Sequence, residues 1–196
     1  MNRLVLASGN PGKLAEFSAL LADVGFEVRP QSEFSVEDAE ETGLTFIENA
    51  ILKARHASQA TGLPALADDS GLVVDALGGA PGLYSARYAG EHGNHSANID
   101  KLLHELRDVP DERRSARFVC VLALLRHAED PQPLISQGLW EGRILHARHG
   151  DGGFGYDPVF FSPTDHMSAA ELPSDVKNLV SHRGRALAML RAALAG

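Results

Sequence analysis

The chain has 196 residues, enough to bury a full core without disulfides or structural metals. Its one cysteine, Cys120, has no intramolecular partner for a bridge, and a formal net charge of -8 with pI near 5.5 opposes binding to a nucleic acid polymer. With no basic-then-apolar leader over residues 1–7 and no apolar run of membrane-span length, the expectation is a soluble cytoplasmic protein without a membrane partner, while small anions stay possible because a few lysines, backbone amides and a metal can build a positive pocket locally.

Residues 4–7 read as a short strand ending at the turn formers Ser8-Gly9-Asn10-Pro11-Gly12-Lys13. From Leu14 the apolar residues Leu14, Phe17, Leu20, Leu21 and Val24 recur at helical spacing, and Gly25 stands at the position of a helix C-terminal glycine. A second strand over residues 26–30 leads into the acidic run 37–41. Thr45-Phe46-Ile47-Glu48 then has the form of a capping box. The helix it opens runs to about Ala60, with Phe46, Ile47, Ala50, Ile51 and Ala54 as its apolar face. Glu41 lies just before this helix, and Asn49 and Lys53 are four apart on its other side.

Residues 63–67 read as a third strand, interrupted by Asp68-Asp69-Ser70-Gly71 before another strand-like run at 72–75. A glycine-rich loop follows over 78–88, then an amphipathic helix marked by Ile99, Leu102, Leu103 and Leu106 and ended by Pro110. Residues 116–125 are apolar on both parities, as in a strand covered on two faces, and 134–147 read as a longer strand bent at Gly138 and Gly142. The densest loop signal, 150–158, precedes a short strand at 159–161. Ser181 caps a last helix whose buried face is Ala186, Leu187, Leu190 and Leu194, with His182 and Arg183 in its first turn. There is no repeat or linker, so residues 1–196 form one α/β domain with an extensive sheet.

Three segments carry chemistry. The loop from Ser8 to Lys13 stands between strand and helix, where backbone amides and a lysine can hold phosphate oxygens. It is not a Walker A loop, because the spacing to Gly12-Lys13 is short and Leu14 replaces the Ser or Thr, and by itself it reads better as a plain glycine turn. Adjacent Asp68 and Asp69 at the end of an apolar strand fit a metal-ligand pair and a turn-forming pair equally; Glu41 at another loop end favours the metal. Alternation along a strand would aim only one of the pair at the site. Phe154 between glycines can stack on a planar base, although packing is the commoner role of a lone phenylalanine. The pairs His92 with His95 and His146 with His149 read as exposed, and Cys120 as core.

Taken together, Ser8-Gly9-Asn10-Pro11-Gly12-Lys13, Glu41 before Thr45-Phe46-Ile47-Glu48-Asn49-Ala50, Ala67-Asp68-Asp69-Ser70-Gly71, Gly78-Gly79-Ala80-Pro81-Gly82 with Ser85-Ala86-Arg87, Gly152-Gly153-Phe154-Gly155-Tyr156-Asp157-Pro158 and Ser181-His182-Arg183-Gly184 resemble the inosine triphosphate pyrophosphatase family, the house-cleaning dITP/XTP pyrophosphatases. The blocks run in order along nearly the whole chain. Ser8 is the one departure, where many members carry threonine. The resemblance implies an elongated α/β fold with a central mixed sheet, flanking helices and two lobes around a substrate cleft, usually as a homodimer. It also implies Mg²⁺-dependent hydrolysis of ITP, dITP and XTP to the monophosphate and pyrophosphate, by water attack on the α-phosphorus.

Residue by residue, the resemblance assigns the triphosphate to Ser8, Gly9, Asn10, Pro11, Gly12, Lys13 and Lys53, and Mg²⁺ to Glu41 and Asp69, with Asp68 as a possible aid. Asp69 is its expected proton acceptor, and Ser70 contacts substrate. Phe154 would stack on the purine, with Gly155, Tyr156, Asp157, Lys177, His182 and Arg183 around the base. These assignments require the acidic, cationic and aromatic side chains to converge in one groove. A phosphatase acting on another nucleotide, or a nucleotide-binding regulatory module without turnover, would use similar residues; product analysis and magnesium-dependent hydrolysis separate the three.

Overall fold

The computed structural model describes residues 2–8, 11–22 and 25–195. Among these residues twelve α-helices and β-strands follow one another: β1 (Asn2–Leu6), α1 (Pro11–Ala22), β2 (Phe26–Pro30), α2 (Phe46–Thr61), β3 (Ala65–Val74), α3 (His95–Glu105), β4 (Ser115–Leu125), β5 (Leu134–Ile144), β6 (Phe160–Ser162), β7 (Met167–Ser168), α4 (Ser174–Val180) and α5 (His182–Ala195). The seven strands form one sheet in the order β2-β1-β3-β4-β5-β6-β7. β1 runs parallel to β2, with Asn2 opposite Phe26, and parallel to β3, with Leu6 opposite Leu66. β6 is antiparallel to β5 and to β7, so the sheet is mixed, as the family resemblance implies.

The chain divides into two compact units, each with its own core. The first comprises Met1–Asp69, Cys120–Gly138 and Arg185–Gly196. Here Phe17 and Leu21 of α1 and Ala186, Leu187 and Leu190 of α5 cluster with Leu4, Leu6, Leu66, Cys120, Leu122 and Leu124 from the strands. Cys120 is therefore a core residue, as its apolar neighbours implied. The second unit comprises Ser70–Val119 and Leu139–Gly184. Its core joins Leu72 and Val74, Ile99, Leu102 and Leu106, and the aromatic residues Phe118, Trp140, Tyr156 and Phe160.

Several sequence expectations change in detail. α1 begins at Pro11, so Gly12 and Lys13 belong to a helical turn and not to the loop before it; proline is at home in a first turn, where its missing N–H costs nothing. The run from Ala65 to Val74 is one ten-residue strand, not two strands parted at Asp68. Charge in mid-strand is tolerated because each aspartate meets a lysine there. On α2 the buried face is Asn49, Ala50, Ala54, Ala57 and Ser58, whereas Ile47 is exposed. Small residues let this helix approach β1 closely, and the larger apolar side chains of its first turn fall outside that face. β5 ends at Ile144, not at Ala147, and α4 was not foreseen, being only seven residues long and without apolar periodicity. Val24 lies outside the described residues. Among those described, no helix is long and apolar enough to cross a membrane.

Candidate functional site

In the first unit, local structure sets an acidic strand against two lysines. Thr45 caps α2 by accepting from the Glu48 N–H at 3.2 Å, while the Glu48 carboxylate accepts from the Leu44 N–H at 2.9 Å and from the Thr45 hydroxyl. The box closes one residue earlier than its usual form, fixing the segment that enters the helix. One turn into α2, the buried Asn49 accepts from the Gly43 N–H at 2.8 Å. Asn49 thus faces the entering segment and holds the stretch that carries Glu41.

Lys53, one turn further on, donates to Glu41 Oε1 at 2.9 Å and to Asp69 Oδ1 at 2.8 Å. Lys13, in the first turn of α1, donates to Asp68 Oδ1 at 2.8 Å. The two aspartates are 2 % and 8 % exposed. They are served by lysines from different helices, which agrees with the alternation of side chains along a strand.

Burial dominates the proton affinity of Asp69 and raises it above the ordinary carboxylate value; Lys53 opposes this, and the nearby charges of Glu41 and Asp68 add to it. For Lys53 burial pulls the other way, yet the charges of Asp69, Asp68 and Glu41 outweigh it and hold the ammonium above its usual value. A carboxylate with raised proton affinity, ionised through a lysine, is what a general base needs.

The second unit carries an aromatic and cationic set. Phe154 is 57 % exposed, with Lys177 Nζ 4.9 Å and Arg183 Cζ 5.7 Å from its ring centroid. Asp157 is buried, and its Oδ2 accepts from the Phe154 N–H at 2.7 Å and from Lys177 Nζ. Gly153 has φ +71°, and a Cβ there would run into Asp157 Oδ2 and lie 2.9 Å from its Cγ. Glycine at 153 is thus a condition for the aspartate to reach under the loop. α4 brings Lys177, and Ser181 ends α4 while its hydroxyl accepts from the Gly184 N–H at 3.2 Å, capping α5. The cap places His182, whose ring stacks on Phe118 with centroids 4.8 Å apart and planes 15° from parallel.

The sequence candidates therefore fall into two sets. Lys13, Glu41, Lys53, Asp68 and Asp69 come together in the first unit; Phe154, Asp157, Lys177 and Arg183 come together in the second, with His182 on the same helical turn as Arg183. Ser8 and Ser70 are half-buried, Ser70 directly after Asp69 in β3. Gly12 is exposed in the first turn of α1, and Gly155 has φ +61° beside Phe154. Gly9 and Asn10 lie outside the described residues, and Pro11 opens α1.

Tyr156 is placed differently from its neighbours. It is buried in the second core, and its hydroxyl donates to the Ser85 carbonyl at 2.9 Å, so it fastens the 150–158 loop. Ser85, which the sequence analysis names without a role, and Asn98, which it does not name, do similar work. Ser85 Oγ accepts from the Leu72 N–H and donates to the Gly82 carbonyl, and Asn98 accepts from the Ala89 N–H and donates to the Ser85 and Ala86 carbonyls. The signal for Asn98 was a polar residue one step from Ile99 and four from Leu102 on an apolar face. His92, His95, His146 and His149 are exposed, as read.

The profile of the Ham1 family matches residues 4–193. The dITP/XTP pyrophosphatase of Salmonella typhimurium is 60% identical over 194 residues, covering 99% of this chain and 98% of that protein. The dITP/XTP pyrophosphatase of Xylella fastidiosa is 64% identical over 191 residues, covering 97% and 96%. Among solved structures, a HAM1 protein from Coxiella burnetii superposes with a TM-score of 0.96 at 53% identity, covering 100% of this chain and 99% of that one. The Staphylococcus aureus Ham1 protein gives 0.92 at 42% identity with the same coverage.

Proposed function

This chain belongs to the Ham1 family, and on that premise we propose that it hydrolyses the non-canonical purine nucleoside triphosphates ITP, dITP and XTP to the monophosphate and pyrophosphate. The observation that carries the reading is Asp69, a buried carboxylate in mid-strand with raised proton affinity, held on an ammonium that it shares with Glu41. Such a group accepts a proton from an attacking water more readily than an exposed aspartate does.

Lys13 and Lys53, with the segment from Ser8 to Lys13, hold the triphosphate and neutralise charge building on the leaving pyrophosphate. Phe154 stacks on the purine. Lys177, Arg183 and His182 supply donors for a 6-keto edge, so that an adenine amino group leaves them unpaired and is rejected. Asp157 and Tyr156 act on the base through the loop they anchor, and Ser70 stands next to the reacting phosphate.

The residues fit a magnesium ion. Among the described residues no three His, Cys, Asp or Glu side chains are gathered as a closed metal cage. Two carboxylates sharing one cation is nonetheless the habit of Mg²⁺ sites that take their remaining ligands from substrate phosphates and water. Glu41 and Asp69, with Asp68 beside them, would hold the ion, which when bound supplies charge neutralisation on the phosphate oxygens. A homodimer in the cytoplasm is the working form that the family resemblance implies; sedimentation at twice the chain's 21.0 kDa tests it.

The deciding experiment incubates the protein with a nucleotide panel and Mg²⁺ and quantifies monophosphate and pyrophosphate together. Equal yields of IMP and pyrophosphate from ITP are expected, and orthophosphate with IDP would refute the assignment. Asp69→Asn should lower turnover by about 10²–10⁴-fold while leaving the unfolding transition in place, the range for losing a positioned general base. A variant that retained most of its activity would remove Asp69 from that role.

A further inference from the structure

The second unit contains an aromatic stack that reaches the proposed base-recognition residues from below. Phe118 lies in β4, nearly buried, with Phe160 at 4.6 Å and Trp140 at 6.2 Å between ring centroids, and Trp140 and Phe160 themselves 5.1 Å apart. The free face of Phe118 carries the imidazole of His182, 4.8 Å away and 15° from parallel. The His182 backbone is fixed independently: Ser181 caps α5 through the Gly184 N–H, and the Ser181 N–H donates to the Lys177 carbonyl at 2.9 Å. What the cap leaves undetermined is the rotation of the ring about its own bonds. A flat partner confines that rotation to one plane, because a tilted imidazole would lose the offset-stacked contact.

We infer that Phe118 is a specificity-determining, positioning residue: it sets the plane of the His182 ring and so aims the imidazole edge that discriminates a 6-keto from a 6-amino purine. The inference rests on the proposed activity. It adds a residue from a core strand, remote in sequence from the other site residues, whose side chain touches no substrate. The rigidity of the Phe118, Trp140 and Phe160 cluster is what makes it effective, since a residue held on several sides transmits position to the one it stacks on.

The magnitude follows from the pair. An aromatic contact of this kind accounts for about two- to tenfold in an equilibrium beyond its buried area. Phe118→Leu and Phe118→Met, which keep apolar bulk but lose the flat face, should reduce the ratio of kcat/KM for ITP over dATP by about two- to tenfold, mainly through KM for ITP. Phe118→Tyr keeps the ring and should restore the ratio. A spectroscopic readout is independent of turnover: the ring current of Phe118 should shift the His182 ring protons upfield in the wild type, and the Leu and Met variants should lose that shift. Urea unfolding followed through Trp140 identifies variants that remain folded.

Folded Leu or Met variants with an unchanged ITP to dATP ratio would overturn the inference. So would a wild-type His182 spectrum with no upfield shift, even were both variants to fail to fold. If the wild type releases no pyrophosphate from ITP, the proposed activity fails, and the His182 shift still decides whether Phe118 sets the ring.

Discussion

Gly184→Ala sets two physical expectations against each other. Glycine within a helix is destabilising by about 0.5–1 kcal/mol relative to alanine, so propensity alone predicts that the substitution in the first turn of α5 stabilises the protein. The packing predicts the reverse. A Cβ at 184 would collide with the Asn178 carbonyl oxygen, lie 2.9 Å from its carbonyl carbon and stand 3.2 Å from the Leu179 carbonyl oxygen. All three atoms are α4 backbone, so no side-chain rotation can relieve the collision.

Overpacking costs about 1–3 kcal/mol, and a backbone obstacle belongs at the upper end, leaving a net loss of about 2 kcal/mol after the propensity gain. In a chain of this size that lowers Tm by about 4–8 °C. Thermal unfolding read through the fluorescence of Trp140, the chain's single tryptophan, measures it. Relief by sliding α4 also displaces Lys177, the neighbour of Asn178, so KM for ITP should rise in the same variant. A protein as stable as the wild type, with wild-type KM, would refute the close approach of α4 to Gly184.

Arg114 is 1 % exposed and donates to the carbonyls of Ile144, Leu106, Val109 and Leu145. Arg114→Met should cost about 1–3 kcal/mol from the buried Ile144 acceptor, the Leu106 carbonyl still accepting from the Val109 N–H at 3.0 Å, read as a fall in the urea midpoint. Asn49→Ala frees the segment carrying Glu41; losing a bond worth about 1 kcal/mol should raise the Mg²⁺ concentration for half-maximal turnover about fivefold, while kcat at saturating Mg²⁺ stays near wild type. Asp130 accepts two side-chain hydrogen bonds from Arg126 and two from the Arg126 and Gln132 backbone, and these hold its carboxyl well below the ordinary range. A depressed carboxyl contributes stability that is complete above the unfolded value of about 3.9 and is lost as pH falls toward the folded one. Wild type should therefore exceed Asp130→Asn in stability at pH 7, and the gap should close as the pH drops below about 3.9; a gap independent of pH would contradict this.

What the sequence made legible follows from which signals are local. β2 matches its expected bounds because Gly25 stands just before it and Pro30 at its end, and α2 begins after Thr45 because a cap is written in four adjacent residues. β3 departs from its local pattern for a tertiary reason. Two aspartates in mid-strand look like a break until Lys13 and Lys53, 55 and 16 residues distant, are known to neutralise them. Phe118 under His182, and the Asn178 carbonyl against Gly184, are likewise contacts between elements, with no trace in any short window. Tyr156 shows the opposite limit: it directly follows the exposed Phe154 and half-buried Gly155, yet the turn after them carries both Tyr156 and Asp157 inward.

The charge distribution bears on how the first-unit residues would meet a ligand. A chain of net charge -8 that handles triphosphates cannot rely on a broad positive surface, so its cations must be few and fixed. Lys13 and Lys53 meet that need because each is already oriented by a buried carboxylate, with side chains 23% and 16% exposed. The same pairing sets a constraint. Lys53 cannot serve Glu41, Asp69 and a phosphate oxygen fully at once, and carboxylates as buried as Asp68 and Asp69 cannot be left without compensation. Phosphate engagement by the lysines therefore requires a second source of positive charge for Glu41 and Asp69, which is the physical reason that hydrolysis should depend on a divalent cation rather than merely be improved by one.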